Sequence, residues 1–276
     1  MKILDGKALA ATMRADIKEK IEKATVVPAL AVVIVGEDPA SKIYVRNKVK
    51  ACADVGMRSL VFELPCDSSQ KDLEDVLDKL ANDDSVHGIL LQLPLPKGLN
   101  AESAMARIPK AKDVDGFSAE HLGELVLAKH RYAACTPSGV MKLFEAAGIP
   151  MQGKHAVVLG RSDTVGKPMA LLLLNANATV TVCHSKTQNL SQICQSADIL
   201  VSAVGIPKFV TENMVKSGAV VVDVGINRDD SGKLCGDVDF ESVAKKAEWI
   251  TPVPGGVGPM TITMLLLNTC IAAWKE

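Results

Sequence analysis

Aromatic side chains make up only 3% of this 276-residue chain, with two tryptophans and two tyrosines. That is too few to build stacking platforms for single-stranded nucleic acid. An excess of charge of either sign is also missing: 31 basic residues face 32 acidic ones, for a net charge of −1. No global field therefore recruits nucleic acid or an anionic membrane, and any bound anion must be held by a local site. The seven cysteines are scattered, with no C-x-x-C pair, which argues against a disulfide framework. The apolar runs read as strand-length pieces interrupted by charge, a pattern that excludes a transmembrane span. The stretch from Met1 to Lys20 is charged and helical in pattern, unlike a signal peptide. No H-E-x-x-H, nucleophile elbow or zinc spacing occurs, so no metal is expected. These features predict a reduced, soluble, cytoplasmic protein with no nucleic-acid or membrane partner.

What is present is ordinary core-forming material, 48% hydrophobic and 23% charged, in a length that corresponds to about two domains at roughly 150 residues each. Helical spacing over 6–24 precedes the continuous apolar run ALAVVIVG at 29–36, the mark of a strand buried on both faces. Ser41 is a candidate cap for a helix over 42–55 stopped by Gly56. Strand 58–63, helix 69–82 and strand 88–95 continue the alternation. A more polar stretch, 97–134, leads to a connecting helix over 137–147 opened by Thr136-Pro137-Ser138. Strands at 155–160, 178–183, 198–205, 219–225 and 249–250, with helices at 165–174 and 189–195, form a second alternation. The chain ends in a helix from Gly258. Alternating strands and helices build parallel sheets, here in two α/β lobes.

The segment Gly160-Arg161-Ser162-Asp163-Thr164-Val165-Gly166-Lys167-Pro168 joins a strand to a helix, which places backbone N–H groups and a helix N-terminus against an anion. It is not a P-loop. Five residues separate its glycines, and Pro168 stands where a magnesium-binding hydroxyl belongs. Nor does it carry a full G-x-G-x-x-G, so a plain tight turn is the competing reading. The next strand ends Cys183-His184-Ser185-Lys186, without the carboxylate that selects NAD. Arg161 offers a planar fork for a phosphate, so the inference is NADP.

In the first lobe Tyr44 and Lys48 lie four apart on one helix face, near the C-terminal end of a parallel strand where α/β sheets place ligands. By spacing alone a surface amphipathic pair is the better reading. Gln92 interrupts the apolar run at 88–95, and a buried amide needs partners, which a lysine on a neighbouring element could supply. Asp113 and Asp115, in Lys112-Asp113-Val114-Asp115-Gly116-Phe117, could be turn formers or acceptors for a ring N–H. Two carboxylates alone are a poor metal site. The run from Thr251 to Thr261, rich in proline and glycine, fixes its own backbone and lets a ligand approach closely. It is expected to line a cleft between the lobes.

Together these segments resemble the bifunctional methylenetetrahydrofolate dehydrogenase/cyclohydrolase family over nearly the whole chain. The most specific pieces are Val35 through Ser41 with Tyr44 and Lys48, Gln92-Leu93-Pro94-Leu95-Pro96, and Lys112 through Phe117. Cys135-Thr136-Pro137-Ser138-Gly139, Gly160-Arg161-Ser162 with Val165-Gly166, and Pro252 through Thr261 complete the set. Ala134 stands where the family commonly has proline. The resemblance implies an N-terminal three-layer α/β catalytic lobe (1–138 with 260–276) and a Rossmann-type NADP-binding lobe with a mainly parallel sheet (139–259). It implies NADP-dependent oxidation of 5,10-methylenetetrahydrofolate, then hydrolysis to 10-formyltetrahydrofolate. Lys48 would be the acid/base group, Gln92 would hold it, and Tyr44 would orient it or the folate. Asp115 would bind the pterin, with Pro254, Gly255 and Thr261 bordering the substrate. Gly160, Arg161, Ser162, Ser185 and Ile226 would line the cofactor, and a homodimer through the cofactor lobe is expected. The alternatives are a dehydrogenase without the hydrolytic step and a non-catalytic NADP-binding sensor.

Overall fold

The computed structural model describes residues 1–275. Backbone contacts divide the chain into two compact units: residues 12–123 with the chain from Ile262, and residues 1–11 with 124–261. A two-residue strand, β1 (Lys2–Ile3), and helix α1 (Gly6–Lys23) open the chain.

In the first unit β2 (Ala29–Val35), β3 (Arg58–Leu64) and β4 (Gly88–Leu91) form a parallel sheet in the order β3-β2-β4. The uninterrupted apolar run of β2 takes the central place and is buried along its whole length, as a strand covered on both faces must be. Helices α2 (Pro39–Val55), α3 (Gln70–Ala81) and α4 (Ala101–Met105) complete the layers, and α5 (Ala119–Val126) spans the division between the units. Leu73, Leu77 and Leu80 put one face of α3 in a core with Ala31, Val33 and Ile89. A reciprocal capping box between Ser69 and Asp72 starts that helix. Helix α2 begins before the expected residue 42. Pro39, whose ring presets φ, occupies its first turn, and Asp38 rather than Ser41 is the cap, accepting from the Ser41 amide at 2.7 Å. Strand β4 is shorter than the expected 88–95. The Gln92 amide still donates to the Val33 carbonyl at 2.8 Å, but Pro94 has no N–H to continue the ladder.

The second unit holds β5 (His155–Leu159), β6 (Thr179–Cys183), β7 (Ile199–Ser202), β8 (Val220–Asp223), the short pair β9 (Asn227–Arg228) and β10 (Leu234–Cys235), and β11 (Trp249–Ile250). Its main sheet is six-stranded and parallel throughout, in the order β1-β11-β8-β7-β5-β6. Helices α6 (Cys135–Ala146), α7 (Gly166–Asn175), α8 (Leu190–Gln195) and α9 (Phe240–Val243) belong here, and α10 (Val257–Trp274) leaves the unit. From β5 the chain passes to β6 on one side and then to β7 on the other. That reversal makes a switch point, where open α/β sheets bind ligands beyond the strand C-termini.

The packing divides the chain at different residues from the expected 1–138, 139–259 and 260–276. Residues 1–11 join the six-stranded sheet because β1 pairs with β11, with the Leu4 amide on the Ile250 carbonyl at 2.9 Å. Two residues are too few to carry a periodic signal. Residues 124–138 also belong to this unit, where the Asn175 side chain donates to the Leu125 carbonyl at 2.9 Å.

Helix α10 corrects the reading of apolar runs. Its 18 residues carry no charge and are long and apolar enough to cross a membrane by length and composition. Here 56% of that run is buried inside the protein. Arg14 Nε donates to the Thr263 hydroxyl, and the Asn268 amide donates to the Val114 carbonyl, both at 2.9 Å. Buried polar groups with protein partners are the mark of a core helix.

Candidate active site

In the first unit Lys48 projects from α2 and Gln92 follows the end of β4. Lys48 Nζ donates to Gln92 Oε1 at 2.9 Å, and Gln92 Nε2 donates to the Leu93 carbonyl at 2.6 Å. Gln92 is 8% exposed, so its amide is held from both ends and cannot rotate without leaving a buried polar group unpaired. Lys48 is half-buried, and Tyr44, one turn earlier on the same helix, is exposed. The expected lysine partner for the buried glutamine is therefore present.

The two aspartates of the 112–117 segment have different surroundings. Asp113 is buried and accepts from the Ser118 amide at 2.7 Å, the Gly116 amide at 3.1 Å and His121 Nδ1 at 3.0 Å. Burial pushes its carboxyl up, but the His121 and Ser118 hydrogen bonds outweigh that and hold it below the usual carboxylate range. Asp113 is the turn former. Lys112 Nζ donates to the Leu80, Ala81 and Asp83 carbonyls at the end of α3, and Asn268 secures Val114. Between these anchors Asp115 is half-buried, on the wall of a shallow open hollow with Ile89, Leu91, Met105 and Phe117. His121 and Asn268 were not legible as site residues, because their partners are set by the tertiary fold.

In the second unit the Gly160–Gly166 turn sits at the switch point. Gly160 has φ +116°, and a Cβ there would lie 2.3 Å from the Ala203 carbonyl oxygen. A Cβ on Gly166 would lie 2.3 Å from the Gly160 carbonyl oxygen. Only glycine lets this backbone close so tightly. Ser162 Oγ accepts from the Val165 and Gly166 amides at 3.2 and 3.3 Å, and Lys167 pairs with Asp163. Arg161 and Ser185 are exposed at the ends of adjacent strands β5 and β6. Ile226, 47% exposed, follows β8. The Pro252–Gly258 segment is pinned by the chain start, with the Lys7 amide on the Gly255 carbonyl at 2.8 Å. The Thr261 hydroxyl meets that of Thr136 at 3.0 Å. No group of three or more possible metal ligands occurs among the described residues.

A tight βα turn at the switch point of a parallel sheet defines a dinucleotide-binding type of unit. The other unit holds a lysine–glutamine pair and a braced aspartate loop. Residues 4–115 match the tetrahydrofolate dehydrogenase/cyclohydrolase catalytic domain, and residues 134–276 match the NAD(P)-binding domain of the same family. The chain belongs to the tetrahydrofolate dehydrogenase/cyclohydrolase family. It is 55% identical to the bifunctional protein FolD of Campylobacter curvus, covering 99% of this chain and 96% of that one. It is also 55% identical to the protein of the same name from Moorella thermoacetica, covering 98% of each. The crystal structure of the bifunctional enzyme FolD from Campylobacter jejuni superposes with a TM-score of 0.97 at 49% identity, over 100% of this chain and 99% of that one. The Trypanosoma brucei methylenetetrahydrofolate dehydrogenase-cyclohydrolase, solved with NADP and an inhibitor, gives 0.93 at 39% identity over 98% and 96%.

Proposed function

We propose that this protein is a bifunctional one-carbon folate enzyme. It oxidises 5,10-methylenetetrahydrofolate to the 5,10-methenyl form with NADP⁺ and hydrolyses the product to 10-formyltetrahydrofolate. The observation that carries this reading is the Lys48–Gln92 hydrogen bond beside a parallel sheet's C-terminal end, within a chain of this family.

The Gly160–Gly166 turn fits a dinucleotide, since its glycines clear the space that a Cβ would fill. Gly160, Arg161 and Ser162 would hold the phosphates, Ser185 the ribose end, and Ile226 the nicotinamide end. When bound, NADP⁺ supplies the hydride acceptor. That step asks the protein mainly for alignment. Asp115 accepts hydrogen bonds from the pterin ring, while Pro254, Gly255 and Thr261 border the folate. Tyr44 orients the substrate or Lys48.

Ring opening asks for more. Water attacks the methenyl carbon and gives up both protons as its oxygen becomes the formyl oxygen. One goes to the ring nitrogen whose bond to that carbon breaks, and the other leaves to solvent as the cationic charge is lost. Lys48 Nζ relays these protons, with Gln92 Oε1 fixing its position. A lysine suits this role because a neighbouring cationic substrate disfavours the ammonium form.

The exposed edge strand β6 supports a homodimer through the cofactor unit, since an uncovered edge invites strand pairing. Sedimentation at several concentrations tests it, and a monomer throughout rejects it. The seven cysteines are thiols rather than disulfides, which supports a cytoplasmic setting. The central test is absorbance during turnover of methylenetetrahydrofolate with NADP⁺ and NAD⁺ in parallel. Reduction of NADP⁺ with passage through the methenyl species is expected, and no reduction of either cofactor rejects the assignment.

A further inference from the structure

Two carboxylates are fully enclosed in the cofactor unit and belong to none of the roles above. Asp237, 0% exposed, spans two loops. Its Oδ2 accepts from the Val204 amide at 2.7 Å, the Gly205 amide at 3.2 Å and the Ser202 hydroxyl at 3.3 Å, all at or just beyond the end of β7. Its Oδ1 accepts from Asn227 Nδ2 at 2.8 Å, at the start of β9 where the loop after β8 ends. Asp223, the last residue of β8, continues the stitching. It accepts from the Gly225, Asp237 and Val238 amides, each at 2.9 Å. The fit leaves no slack: a Cβ on Gly225 would lie 2.1 Å from Asp237 Oδ1, and one on Gly236 would lie 1.9 Å from Asp223 Oδ2.

The arrangement has a consequence for Ile226. Its neighbours on both sides are tied to buried carboxylates, through the Gly225 amide and the Asn227 side chain, while Ile226 itself is 47% exposed. Loops after parallel strands are where dinucleotide units meet their ligand, and a ligand contact on a loop is only as well placed as the loop. We propose that Asp237 is a positioning residue for the dehydrogenase step. It locks the loop after β7 to the loop after β8 and so sets the depth at which Ile226 meets the nicotinamide end of the cofactor. The inference rests on the cofactor reading of Ile226.

The protein's second activity supplies the control, because hydrolysis of methenyltetrahydrofolate consumes no cofactor. In Asn227→Ala, which removes a single clamp bond, NADP⁺ reduction is expected to fall about tenfold. In Asp237→Ala it falls about 100-fold, the scale of a small misplacement at a distance from the reaction. Hydrolysis of added methenyltetrahydrofolate stays within about twofold of the parent in Asn227→Ala. Calorimetric affinity for NADP⁺ weakens in both variants, whereas affinity for 2′-phosphoadenosine, which lacks the nicotinamide end, does not change. Asn227→Ala keeps the test open if Asp237→Ala fails to fold. Variants whose two activities fall in parallel, or whose NADP⁺ reduction equals the parent's, overturn the positioning role. A parent protein that reduces no NADP⁺ overturns the functional reading on which it stands.

Discussion

Lys48 and Gln92, 44 residues apart in the chain, meet at 2.9 Å between Nζ and Oε1. The two proposed steps ask different things of this pair. Hydride transfer needs alignment, while ring opening also needs proton movement. Lys48→Met keeps much of the stem's packing and removes the amine. Hydrolysis of methenyltetrahydrofolate should fall about 10²–10⁴-fold, with a smaller loss of dehydrogenase activity, so the methenyl species accumulates. Absorbance of that species against its spontaneous decay in buffer is the measurement. A variant that hydrolyses at the parent rate would falsify the relay. Gln92→Ala should reproduce part of the defect with a displaced pH profile.

In the proposed reading Arg161 carries the cofactor preference, and Arg161→Ala would then delete charge-assisted hydrogen bonds to a phosphate that NAD⁺ lacks. Affinity for NADP⁺ should drop by about 10- to 100-fold at low ionic strength, with NAD⁺ nearly unaffected. Titration with both cofactors decides, and equal losses for the two would reject this assignment.

Asp115 is held on a loop braced by Lys112, Asp113 and Asn268. Asp115→Ala should raise the folate KM in both activities and leave NADP⁺ affinity intact. Unchanged folate affinity would return Asp115 to the role of an ordinary loop residue.

Asp223 makes stability depend on pH. Burial, with the charge of Asp237 also raising it, outweighs three amide hydrogen bonds and pushes the carboxyl up to about 6 from the usual 3.8. A folded-state value above the unfolded one means that the folded protein binds the proton more tightly. This contribution is fully present below about 4 and is lost as pH rises through about 6. The parent's Tm, measured against that of Asp223→Asn, should therefore decline between pH 4.5 and 7. A Tm difference that stays constant over that range would show that Asp223 does not titrate there.

The sequence by itself determined most of the strands and helices and pointed to candidate chemistry-bearing positions. A run such as Ala29–Val35 has no polar face to offer water, so it can only be a strand covered on both sides. Glycines such as Gly160, where a Cβ would strike the Ala203 carbonyl, leave their mark in the sequence because no other residue fits. Family motifs named Lys48, Gln92 and Asp115 for the same reason: they are local words. The resemblance implied that Gln92 holds Lys48, but only the tertiary structure shows the two in contact. Nothing near residue 48 says that Gln92 lies beside it, and nothing near residue 113 says that His121 braces it. It also decided that Lys2 and Ile3 complete a sheet with Trp249 and Ile250, and that uncharged α10 is a core helix. Asp237 became a clamp only once the ends of β7 and β8 were brought side by side. Periodicity and capping act over a few residues, whereas these pairings depend on the path of the whole backbone.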